Sequence, residues 1–116
     1  MSKNEIVQLI NKVANPEAIY LFGSYGSCDF NENSDIDITV LFDFSVNNSA
    51  FLCAEIAEKI SELLGIPADL IDLRRVSTVF QFEIVTTGNR IFSKGDGADV
   101  FEMLVFSYYQ KLNEER

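Results

Sequence analysis

The stretch that most restricts the fold runs from Ile19 to Phe42, IYLFGSYGSCDFNENSDIDITVLF. The apolar run Ala18 to Phe22 is short and unbroken, which reads as a central strand covered on both faces. Gly23-Ser24 then turns the chain, and after ten intervening residues a second strand, Asp35 to Phe42, opens on Asp-x-Asp. Side chains two apart on a strand share a face and lie about 6.6 Å apart along it. Asp35 and Asp37 therefore project to one side while Ile36, Ile38 and Val40 face the other, and two hard carboxylates so placed suit a divalent cation, Mg²⁺ rather than zinc. Gly23 has no Cβ and lets an anion approach the backbone closely, and the Ser24 hydroxyl and the amides after it can donate hydrogen bonds to a phosphate.

The rest of the chain supplies layers for these strands. Ser2-x-x-Glu5 has capping-box spacing and Ile6, Val7, Leu9, Ile10 and Val13 form one stripe, predicting a helix over 3–14 that Asn15-Pro16 ends. A short helix is expected to begin in the polar segment 25–33. Asn48 or Ser49 is expected to cap a helix over 50–64, with Phe51, Leu52, Ile56, Ile60, Leu63 and Leu64 at helical spacing and Gly65 as its stop. A strand over 68–73, a helix over 77–86 closed by Gly88, a short strand over 90–92 and a last helix over 98–113 complete the order. That last helix should carry Phe101, Leu104, Val105, Tyr108 and Leu112 on one side. The expected fold class is α/β, a small mixed sheet flanked by helices, forming one domain over 1–116.

Composition narrows the function. No apolar run approaches the roughly 18 residues that a membrane span requires, and the N-terminus is amphipathic rather than signal-like, so a cytoplasmic location without membrane contact is expected. The chain has no His and only Cys28 and Cys53, a pair that matches no zinc spacing; His-dependent nuclease or triad chemistry is excluded and both thiols read as free. Eighteen acidic against nine basic residues give a net charge of −9, which repels nucleic-acid backbones and favours a small molecule or a protein with a basic face as the partner.

Gly23-Ser24, the ten-residue interval, Asp35-x-Asp37 and the later ADLIDL strand resemble the minimal nucleotidyltransferases of the DNA polymerase β superfamily, and most nearly the MntA-type antitoxins that accompany HEPN ribonuclease toxins. The resemblance extends over almost the whole chain. It implies a polymerase-β-like fold and ATP-dependent transfer of AMP to a hydroxyl, namely a tyrosine of the HEPN toxin. In that scheme Gly23 and Ser24 hold the triphosphate, Asp35 and Asp37 hold two Mg²⁺ ions, and a third carboxylate binds one metal and helps deprotonate the attacking hydroxyl. Asp72 is expected to be that carboxylate; Asp69, three residues earlier and on the other face of its strand, is the competitor. The family commonly has a second glycine in the loop where this chain carries Gly26, Ser27 and Cys28, a difference that bears on the loop and not on the carboxylates.

Arg74, Arg75 and Arg90 are candidates for phosphate or partner contact, with a solvated arginine as the alternative in each case. Two other functions compete with protein adenylylation. One is a binding module that masks a toxin without chemistry, against which the clustered acids argue. The other is AMP transfer to a small-molecule hydroxyl, against which the absence of room for an additional helical domain argues.

Overall fold

The computed structural model describes residues 3–22 and 35–115. Among the described residues four helices, α1 (Lys3–Ala14), α2 (Ser49–Leu64), α3 (Thr78–Thr87) and α4 (Gly97–Glu114), accompany four strands, β1 (Ala18–Phe22), β2 (Ile36–Leu41), β3 (Ala68–Asp72) and β4 (Asn89–Ser93). The strands form one mixed sheet in the order β3-β2-β1-β4. β1 is antiparallel to both β2 and β4, whereas β2 and β3 run parallel. The parallel pair follows from its connection: α2 crosses over between them, as a parallel pair requires.

The two-residue period of the strands divides the apolar residues between two cores. Ile19, Leu21, Ile36, Ile38, Val40, Phe42 and Leu70 pack with Ile6 and Ile10 of α1 and Cys53, Ile56 and Ile60 of α2. On the opposite face Ala18, Tyr20 and Leu41 pack with Leu73, Ile84 of α3 and Ala98 of α4. β1 is buried on both faces, as its unbroken apolar run requires.

Local signals account for most element boundaries. Gly65 ends α2 in the left-handed conformation at φ 73°, its N–H donating to Ser61 O at 2.9 Å. Ser77 caps α3 through its hydroxyl, which accepts from Phe80 N at 3.2 Å. The start of α2 differs from expectation, for neither Asn48 nor Ser49 caps it through its side chain. The Asn48 carbonyl instead accepts from Leu52 N, and an Asx turn at Asp43, whose Oδ1 accepts from Ser45 N at 2.9 Å, leads the chain in. The expected helix in 25–33 lies outside the described residues.

The stripe expected on α4 is split. Val105 is buried and Phe101 partly buried, but Leu104, Tyr108 and Leu112 are exposed. Among the described residues α4 packs against α3 and the edge of the second core, and Val100, Met103, Leu104, Phe106, Tyr108 and Leu112 are left exposed. α2 behaves likewise at its ends, leaving Phe51 and Leu63 exposed.

Candidate active site

The carboxylates meet where β1 ends. Phe22, the last residue of β1, pairs across the sheet with Asp37, and Asp37 pairs on its other side with Asp69 of β3. Residues paired directly across strands point to the same face, so Phe22, Asp37 and Asp69 form one row, with Asp35 two residues earlier on the same side. Gly23 and Ser24 lie outside the described residues, as does Cys28; the chain enters that segment from Phe22, beside Asp37.

Asp72 does not join this row. It pairs with Val40, three positions along β2, and shares the face of Ala68 and Leu70, the face on which α1 and α2 pack. Its carboxylate works locally: Oδ1 accepts from Arg74 N at 3.0 Å, capping a single 3-10 turn over Leu73–Arg75, and Oδ2 stands 3.5 Å from Arg75 Nε. The opposite facing of Asp69 and Asp72 holds, but the register puts Asp69 opposite Asp37. The parallel alignment is fixed by Ile36 N donating to Pro67 O at 3.0 Å and by Leu70 entering the core beside Ile38.

The row concentrates like charge. The Asp37 carboxyl is held above its ordinary value, first by partial burial and then by the charges of Asp69 and Asp35. A hard divalent cation would reverse that penalty, so the donor set fits Mg²⁺. Among the described residues no three acidic, His or Cys side chains close a metal cage on their own. Mg²⁺ in nucleotide sites needs none, because it keeps waters and takes ligands from substrate phosphates.

Each of the three candidate arginines has a partner among the described residues. Arg74 donates from Nε to Phe42 O at 2.7 Å, and its guanidinium lies over the Phe101 ring at 5.5 Å. Arg75 pairs with Asp72. Arg90 is shared between Asp99 at 2.9 Å and Glu102 at 3.1 Å, and Glu102 also accepts from the Tyr20 hydroxyl at 2.7 Å. Burial and then Glu102 hold the Tyr20 phenol well above its usual range, so Tyr20 stays protonated as a structural donor. Tyr109 stacks on Phe82 at 3.8 Å, a packing role. Cys53 is a buried free thiol pushed up to about 11 by burial, hence unreactive near neutrality.

A mixed four-stranded sheet with helices on both faces, carrying acids at the start of β2 beside the end of β1, is the fold of a nucleotidyltransferase. The chain belongs to the polymerase β nucleotidyltransferase family, whose model, described as Polymerase beta, Nucleotidyltransferase, matches residues 4–96. It is 36% identical to the protein adenylyltransferase MntA of Shewanella oneidensis over 100% of this chain and 83% of that protein. A crystal structure of a toxin–antitoxin with AMP-PNP superposes with a TM-score of 0.85 at 36% identity, covering 100% of this chain and 93% of the other. A structure of tri-AMPylated Shewanella oneidensis HEPN toxin in complex with MNT antitoxin gives 0.76 at 35% identity, covering 97% and 87%.

Proposed function

We propose that the chain is an antitoxin that transfers AMP from ATP to a tyrosine hydroxyl of a HEPN-type toxin, acting in the cytoplasm as a single nucleotidyltransferase domain. The observation that carries this reading is the row formed by Asp37 and Asp69 beside the end of β1. It is supported by the whole-chain match to an adenylyltransferase and to toxin–antitoxin structures.

In this reading Asp35 and Asp37 hold two Mg²⁺ ions, and Asp69, in place of Asp72, is the third carboxylate. The metal supplies charge neutralisation for the triphosphate and acidifies the attacking hydroxyl. Asp37 and Asp69 fix the geometry because both stand on hydrogen-bonded strands. Asp69, on the exposed edge strand, is placed to take the proton of the entering hydroxyl. Gly23 and Ser24 bind the phosphates through backbone amides and the hydroxyl. Phe22, edge-on to Phe80 at 5.8 Å, closes the floor of the site with an apolar surface. No described helix is long and apolar enough to cross a membrane.

Catalysis separates from masking by stoichiometry. A limiting amount of the chain, incubated with a cognate HEPN toxin, ATP and Mg²⁺, should add AMP to more toxin molecules than there are copies of the chain. The mark should persist after the proteins are parted at high salt. An Asp35→Asn, Asp37→Asn double variant should bind toxin and leave it unmarked. Equal neutralisation by both proteins with no change of toxin mass would establish a mask instead.

A further inference from the structure

Helix α4 carries apolar surface that its own packing does not use. Only Ala98 and Val105 are buried along its 18 residues. Val100, Leu104, Tyr108 and Leu112 recur every four residues and are 49%, 47%, 58% and 38% exposed, with Met103 beside them at 69%. That spacing sets them on one face. From Val100 to Leu112 the strip is about 18 Å long at 1.5 Å per residue. Single exposed apolar side chains need no explanation, but a contiguous strip does.

This helix also lies outside the region that defines the family. The family match stops at residue 96, and α4 begins at Gly97. The toxin–antitoxin structure with AMP-PNP, by contrast, matches over 100% of the chain, α4 included. The inner face of α4 completes the second core through Ala98, with Phe101 packed against it. Among the described residues the outer strip enters neither core.

Charge selects among possible occupants. Asp96, Asp99, Glu114 and Glu115 border the strip, and Lys111 is the one base between Gly97 and Glu114. A second copy would bring two chains of net charge −9 together. A partner whose apolar groove is edged by Lys and Arg meets no such repulsion, and a helix laid into a groove is read at this four-residue spacing. Position favours the same partner: Glu102 of α4 bonds Tyr20, which shares a sheet face with Phe22 and Asp37, so whatever grips α4 is held on the reacting face.

We propose that the outer face of α4 is the docking surface for the acceptor toxin, received in an apolar groove with a basic rim. This rests on the function proposed above. The test uses a purified cognate HEPN toxin, with wild type, a Leu104→Lys, Tyr108→Lys double variant, and Met103→Lys as a second, milder variant at the most exposed position of the strip. Both variants should keep wild-type thermal stability and AMP-PNP binding. The double variant should bind toxin on the order of tenfold to a hundredfold more weakly, and Met103→Lys by a smaller factor in the same direction. KM for toxin should rise while turnover at saturating toxin is kept. Wild-type toxin affinity in both variants, or a wild type that binds no toxin, overturns the docking site. So does sedimentation showing a dimer of the chain that the lysines dissolve, since the strip then receives a second copy. A wild type that binds toxin through α4 but leaves no AMP on it upholds the docking surface and refutes the catalytic reading.

Discussion

Replacing Asp69 and Asp72 one at a time should give opposite results in two assays, because one acid faces a charged row and the other caps a turn. Paired residues on adjacent strands put the Asp37 and Asp69 carboxylates about 5 Å apart, and at the dielectric of water two like charges there repel by about 0.8 kcal/mol. Asp69→Asn should therefore raise the metal-free melting temperature by about 3 °C. It should also abolish the stabilisation that Mg²⁺ with AMP-PNP gives wild type, and slow AMP transfer by roughly a hundredfold or more, equivalent to about 3 kcal/mol of lost charge stabilisation. Asp72→Ala removes the hydrogen bond from Arg74 N, worth about 1 kcal/mol, and an ion pair with an Arg75 side chain 62% exposed, worth a few tenths. Its melting temperature should fall by about 5 °C while turnover stays near wild type. Differential scanning fluorimetry with and without Mg²⁺ and AMP-PNP, beside a toxin-modification assay, reads both quantities. Loss of turnover in Asp72→Ala with normal turnover in Asp69→Asn would refute the register argument.

Three further outcomes follow from other contacts. Thr39 is fully buried with no partner for its hydroxyl among the described residues, so Thr39→Val should gain about 1 kcal/mol in urea denaturation; a loss of that size would mean that the hydroxyl is satisfied. Tyr20→Phe should cost about 1 kcal/mol because Glu102 keeps Arg90, whereas Glu102→Ala should cost about 2 kcal/mol by leaving the buried phenol unpaired; equal losses would contradict the shared network. The native Asp37 carboxyl titrates above its ordinary value of 3.8, so its stability penalty is full above the native value and vanishes below the unfolded one. Metal-free Asp37→Asn should thus be more stable than wild type at pH 7, with the advantage shrinking as pH falls towards 4, and a constant difference across that range would show that Asp37 is not perturbed.

What the sequence settled by itself were the properties carried by neighbours along the chain. Apolar period and local stop signals place α1 and β1 at their observed bounds and the other described elements within two residues, because helix and strand periods and the left-handed Gly65 are local facts. The shared face of Asp35 and Asp37, and the opposed faces of Asp69 and Asp72, are equally local. Which of those two faces Asp37 is a different kind of question. Parity along one strand carries no information on its register against another, and here the register was decided by Leu70 entering the core at Ile38 and by Ile36 bonding to Pro67. Arg74 and Arg90 were undecidable for the same reason, since Phe42 O, Phe101, Asp99 and Glu102 reach them only across the fold. The outer strip of α4 is the converse case. Its spacing is that of a buried helix face, and only the tertiary structure, by packing α4 against α3 and the edge of the second core, decided that Leu104, Tyr108 and Leu112 would be left exposed.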